Sequence, residues 1–180
     1  SIGQATIFSF RSSTTNVADT AFANGARVRY SPQLTWYWGP LGFLGEYVQS
    51  SHEVRRGENS ATLDHAAWQA AASWVLTGED NSFKRIRPKR PLNPAEGQWG
   101  AVELVGRFSR LDFDDAAFPA YADPSASVTA VDTVGAGINW YLTDHIRASL
   151  DYERSSFDGG AADGDRPDEH VLFARWQVAF

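Results

Sequence analysis

The chain contains neither cysteine nor methionine. Without cysteine there is no disulfide framework, no thiolate metal site and no cysteine nucleophile. No segment approaches the ~20 consecutive apolar residues that a membrane helix requires. Helical spanning is therefore excluded, whereas spanning by strands is not, because barrel strands alternate and average out as mildly hydrophilic. A charged leader followed by an apolar run is also missing, so this stretch holds no signal peptide. Together with the abrupt start at Ser1, the lack of an initiating methionine reads as a fragment or a processed chain. His52, His65, His145 and His170 are scattered without metal-ligand spacing. Ser, His and Asp occur without a nucleophile-elbow motif. No enzyme activity, metal or cofactor is expected. The formal charge of −6 argues against nucleic acid as a partner.

What the sequence does contain is period-two alternation from end to end, broken by turn-rich stretches. The expected strands are 3–12, 26–38, 43–55, 61–77, 98–113, 132–142, 145–156 and 169–180. Pro32 falls inside the second and predicts a bulge or weak pairing there. The Ala-rich centre of 61–77 could be read as a helix, but Trp68 and Trp74 both fall in the even set, which favours a strand. Gly135-x-Gly137 lies inside a strand and indicates close packing. Residues 78–97 are irregular and rich in proline and basic side chains. Stretches 13–25, 114–131 and 157–168 read as loops, and the last of these lacks the calcium-loop pattern of an EF-hand. The pattern predicts an all-β, antiparallel up-and-down sheet of about eight strands. Most are long enough to cross a bilayer at a tilt, for which ~9–11 residues are needed.

Alternation alone does not say which face is buried. In a soluble sandwich the apolar face packs a core; in a membrane barrel it meets lipid and the polar face lines water. Aromatics gather towards strand ends (Trp36, Trp38, Trp74, Trp140, Tyr141, Trp176), as interfacial girdles require. The opposite faces carry both signs of charge in mid-strand, and short connections (39–42, 143–145) tend to alternate with long ones. These features favour a transmembrane β-barrel over a soluble β-protein. Segment 78–97 breaks the rule: strand parity puts it on the short-turn side. Either it folds against or into the barrel end, or the strand count fails near it.

Particular residues then resemble a family. These are Ala72-Ser73-Trp74-Val75-Leu76-Thr77-Gly78-Glu79, Lys84-Arg85-Ile86-Arg87-Pro88-Lys89-Arg90-Pro91, Trp99-Gly100-Ala101-Val102-Glu103-Leu104 and Arg107-Phe108-Ser109. With Gly39-Pro40, Gly45-Glu46-Tyr47-Val48-Gln49 and Asn139-Trp140-Tyr141-Leu142, they resemble the phosphate-selective porin O and P family of Gram-negative outer membranes. The resemblance implies a bacterial outer-membrane location and a sixteen-stranded, usually trimeric barrel that passes phosphate or related anions by diffusion. Residues 1–180 would then be the C-terminal half of one barrel domain, without the family's constriction loop. The implied partners are inorganic anions, membrane lipid, the barrel assembly machinery and two further copies of the chain. Trp176, Val178 and Phe180, ending the terminal strand on an aromatic, resemble the signal that this machinery reads.

A porin needs a wet path whose field favours its solute. Arginine suits phosphate because its planar fork donates two hydrogen bonds and stays charged. The alternation places Arg11, Arg27, Arg29, Arg107, Arg147 and Arg175 on the lumen side with Glu46, Glu103, Asp151 and Glu153. Arg107, Arg147 and Arg175 read more readily as cross-strand braces than as anion contacts, having carboxylates within plausible reach. Arg27 and Arg29 have no acid on their own strand and are the better anion contacts. Lys84, Arg85, Arg87, Lys89 and Arg90 could gather anions at a pore mouth, or form a solvated turn that pins the barrel end. The competing function is a structural or ligand-binding outer-membrane barrel without selective transport.

Overall fold

A computed structural model describes residues 5–179. Nine strands form one antiparallel sheet: β1 (Phe22–Tyr30), β2 (Gln33–Trp38), β3 (Leu41–Arg56), β4 (Asn59–Val75), β5 (Ala101–Asp112), β6 (Val128–Tyr141), β7 (Ile146–Ala161), β8 (Gly164–Asp165) and β9 (Glu169–Val178). β3 to β7 pair in chain order. β1 and β2 lie end to end along the outer edge of β3. The short β8 and the longer β9 both pair with β7. The interruption between β1 and β2 falls at Ser31-Pro32, where proline has no N–H to donate. The ladder survives there through the Tyr47 N–H, which donates to the Pro32 carbonyl at 3.1 Å.

The faces are inverted relative to a soluble protein. One face carries Trp36, Trp74, Val134, Leu150 and Trp176, and their exposures run from 49% to 70%. The other carries Glu103, Thr133 and Ser155, all 7% exposed or less. The register keeps each set on its side: Trp74 lies opposite Leu104, Leu104 opposite Ile138 and Ile138 opposite Leu150. Burial of polar groups beside exposed apolar ones is unfavourable in water and favourable in hydrocarbon, where only paired backbone and apolar side chains can face out. On β5 the outer apolar positions run from Val102 to Phe108, about 20 Å along the strand, close to the ~25 Å band of outer-membrane barrels. Beyond Phe108 the outer face turns charged. Arg110 bonds Asp112 and Asp132, each at 2.8 Å, and approaches Asp158 at 3.9 Å. Such a cluster belongs in headgroups or water, so it marks where the sheet leaves the hydrocarbon.

Two segments fold onto the polar inner face, one at each end. The expected strand over 3–12 is corrected by the structure. The described part, residues 5–12, forms no strand beyond a single bridge from Phe10 to Ala122 and runs across the inner wall instead. Phe8 stacks on Phe113 at 4.4 Å, and Phe10 packs edge-on against His52. The Ile7 carbonyl accepts from the Val128 N–H, and the Arg11 N–H donates to the Tyr121 carbonyl. Arg11 is therefore not a wall residue; its guanidinium grips the Pro119 carbonyl and Asp123. Two hydrogen bonds from Ser125, and then Arg11, hold the Asp123 carboxyl below the usual carboxylate range. Alternation misled here because Phe8 and Phe10 bury apolar rings on a packed loop with the same period as a strand.

At the opposite end, the segment from Leu76 to Gly100 shares its side with the turns at 39–40 and 142–145. The Asn81 N–H donates to the Gly39 carbonyl, and the Leu92 N–H to the Leu142 carbonyl. Ile86 is buried with Val75, Ala101 and Tyr141, all on the inner face. Asn81 donates to Ser73 Oγ at 2.7 Å, and Thr77 bonds Glu79. Of the two options that strand parity left open, the segment thus folds against and into the sheet end. The inversion predicts that Ile138→Arg, in mid-band on the outer face opposite Leu104 and Leu150, destabilises the lipid-embedded protein by about 2–4 kcal/mol. Ser109→Lys, on the inner face, should cost well under 1 kcal/mol. Denaturant unfolding in lipid vesicles measures both, and equal losses would mean the faces are reversed.

Candidate functional site

The inner wall is built from alternate residues of seven staves held in register. One row reads Gln33, Glu46, Gln69, Ser109, Thr133, Ser155 and Glu169; the next reads Thr35, Leu44, Ala71, Arg107, Gly135, Glu153 and Val171. In the second row Arg107 reaches over Gly135 to Glu153, with both carboxylate oxygens accepting from Nη2 at 2.7 and 2.9 Å. The glycine eases the bridge: a Cβ at position 135 would stand 3.0 Å from Glu153 Cγ, and the glutamate would have to give way. At Gly137 a Cβ would collide with Asp151 Oδ1 at 2.0 Å. The pair Gly135 and Gly137 therefore clears room for acids reaching across from β7, which is the close packing expected of it.

The inner acids have different partners. Glu46 accepts from Ser31, Gln33 and Gln69 at 2.9, 2.7 and 2.7 Å, all neutral donors. Glu103, 7% exposed, accepts from Asn139 and Tyr141 at 3.0 Å each. Donors wrapped around these oxygens occupy the lone pairs and stabilise the buried charge.

The arginines singled out from the sequence separate into three groups. Arg107 is a brace, as described. Arg147 lies over the Tyr141 ring at 5.7 Å and donates to Gln177 Oε1 at 2.9 Å, so its partners are an aromatic face and an amide. Arg27, Arg29 and Arg175 are exposed on the inner side of edge strands. Among the described residues none of the three has an ion pair. Arg27 and Arg29 sit opposite His52 and Ser50, close enough for both charges to act on the His52 imidazole. They line a cleft of about 470 Å³ beneath the segment that carries Phe8 and Phe10.

Lys84, Arg85, Arg87, Lys89 and Arg90 are all exposed, while Ile86 and Pro88 between them are buried. Alternation thus pins the run by its apolar side and turns its charge to solvent. Lys89 Nζ is tied to the Gly78 carbonyl at 2.7 Å. Lys84 and Arg85 face His145 and Arg147 across a second cleft of about 250 Å³. Trp176 and Val178 occupy the outer face of β9, 70% and 55% exposed. Phe180 lies outside the described residues.

Sequence reasoning missed one cluster. His52 and His65 come together with ring centroids 5.2 Å apart, among Phe8, Phe10 and Phe113. The two-residue turn Gly57-Glu58 sets the hairpin register, with Arg56 opposite Asn59. From that turn the histidines are diagonal neighbours on one face, so the signal was present in the spacing.

The Arg107–Glu153 bridge predicts a double-mutant coupling of about 1–2 kcal/mol, because the pair is partly desolvated and doubly hydrogen-bonded. Unfolding of Arg107→Ala, Glu153→Ala and the double variant measures it. A coupling near zero would place the pair with exposed ion pairs of no structural weight.

Comparison with known proteins bears directly on this wall. Porin O of Pseudomonas aeruginosa is 25% identical over 145 residues, which cover 72% of this chain and 31% of that protein. The matched region thus spans under a third of the relative's length. The family description "phosphate-selective porin O and P" matches residues 9–180, nearly the whole chain. An antiparallel sheet with apolar residues outward and a charged inner wall is what such a porin requires, and the chain belongs to the phosphate-selective porin O and P family of outer-membrane proteins.

Proposed function

We propose that the chain forms part of the wall of a water-filled outer-membrane pore that passes small anions, with phosphate or polyphosphate preferred, by passive diffusion. Two arginines without an ion pair among the described residues, Arg27 and Arg29, on the wet face of an inverted sheet carry this reading. Guanidinium forks that are not spent on wall acids can exchange water for a passing oxyanion. The free ladders of β1, β2 and β9 in the described sheet support a place in a larger barrel, because exposed strand edges are unfavourable in lipid. We read residues 1–180 as the C-terminal half of a sixteen-stranded barrel working as a homotrimer. The basic run at 84–90 collects anions at one mouth by raising their local concentration.

Catalysis has no place in this reading, since diffusion through a selective field needs neither a nucleophile nor a general acid. A structural barrel is the second reading, favoured by the two segments folded onto the inner wall at opposite ends. Single-channel recording separates the two, because a plugged barrel shows no steps.

In the complete protein reconstituted in planar bilayers, Arg27→Ala with Arg29→Ala should weaken phosphate block of chloride current about tenfold or more, roughly the loss of one charged hydrogen bond. Unchanged block and unchanged chloride/potassium selectivity would reduce both residues to wall. Replacing Lys84, Arg85, Arg87, Lys89 and Arg90 by glutamine should lower phosphate uptake severalfold at low ionic strength. The loss should vanish in high salt, where charges farther apart than a Debye length are screened. Equal uptake at low salt would remove the run from the pathway.

A further inference from the structure

The cleft beside Arg27 and Arg29 has one wall that a bare, strongly hydrated oxyanion does not use. Phe8 and Phe10 meet edge to face at 5.1 Å, and Phe8 stacks on Phe113 at 4.4 Å. All three rings line the cleft and remain partly exposed to it. Phe22, 43% exposed, lines it too. Facing these rings are the two guanidinium groups, on successive inner positions of an edge strand and without an ion pair among the described residues. The carboxylate on the lining, Glu53, lies against Gly25.

Such a site offers charge on one side and apolar surface on the other. Inorganic phosphate gains from the forks alone. An anion with a flat apolar body gains from the forks and also removes ring surface from water. Guanidinium planes add a further preference, because they stack on aromatic faces as well as pairing with oxyanions. The volume of about 470 Å³ is within the range of small-molecule sites.

We propose that this cleft is a binding site for phosphate monoesters with an aromatic body, so that the wall takes organic phosphates as well as inorganic ones. The proposal rests on the anion reading of Arg27 and Arg29 and adds the class of ligand. The probes are phenyl phosphate, glycerol phosphate (a polar body on the same head group) and inorganic phosphate. Each is titrated as a blocker of chloride current through the complete protein in planar bilayers. Phenyl phosphate should reach half-block at about one-tenth the concentration of glycerol phosphate, the gain expected from burying roughly one ring face. Phe22→Ala and Phe10→Leu should each cut that ratio below threefold. Phe22 is exposed, so its substitution leaves a test even if Phe10→Leu does not assemble. Arg27→Ala with Arg29→Ala should weaken block by all three probes. Equal block by phenyl and glycerol phosphate, or an advantage that survives both phenylalanine substitutions, overturns the proposal. The anion reading stands in that event if the double arginine variant still weakens block by inorganic phosphate, and falls separately if it does not.

Discussion

Backbone pairing is the constraint on which the structure depends. A chain that meets hydrocarbon cannot leave N–H and C=O groups open, and a continuous antiparallel ladder satisfies them without water. β3 to β7 pair over most of their lengths, sixteen partner positions in the case of β3 and β4. Once that ladder exists, side chains can only point to one face or the other, and the period of two sorts them. Apolar residues take the outer face and polar ones the inner face. The burial of Glu103, Thr133 and Ser155 follows from this sorting, as does the exposure of Trp74 and Trp176.

The inner face then has to hold polar groups away from bulk water without leaving them unsatisfied. It does so in two ways. Arg107 and Glu153 neutralise each other across the glycine between them. Glu46 and Glu103 instead gather neutral donors, which stabilises each carboxylate without consuming a cation. Arg27, Arg29 and Arg175 at the sheet edges are consequently left without an ion pair among the described residues. A wall in which every arginine was matched to an acid would hold little field for a solute, so the proposed anion path depends on this incomplete matching.

The two inward segments shape the inner face. The stretch with Phe8 and Phe10 covers the upper inner wall, fastened by the Arg11 guanidinium to the Pro119 carbonyl, while Arg56 of β3 holds the same loop through the Ala120 carbonyl. At the other end Ile86 seats the basic run against Val75, Ala101 and Tyr141. Both use the same device, an apolar anchor in a mostly polar wall, which fixes neighbouring charge in place. A small apolar contact thus decides where charge stands on the inner face.

Fold class, membrane spanning and family were legible in the sequence, because each rests on a local repeat or a local motif. Alternation with long strands needs no knowledge of partners, and the motif from Trp99 to Leu104 is contiguous. Even the break at Pro32 follows from one missing N–H. Three things were not legible. The segment carrying Phe8 and Phe10 has the period of a strand, and only its packing against Phe113 and His52 shows that it is a strap. Which arginines are paired depends on what the neighbouring stave places two strands away, as with Glu153 across Gly135. The fate of the basic run depended on Ile86 finding an apolar seat. The sequence by itself determined the ladder and its two faces, since these follow from the chemistry of adjacent residues. Only the tertiary structure decided which charges remain free on the wall, because pairing across strands is set by register and by the glycines that let side chains cross.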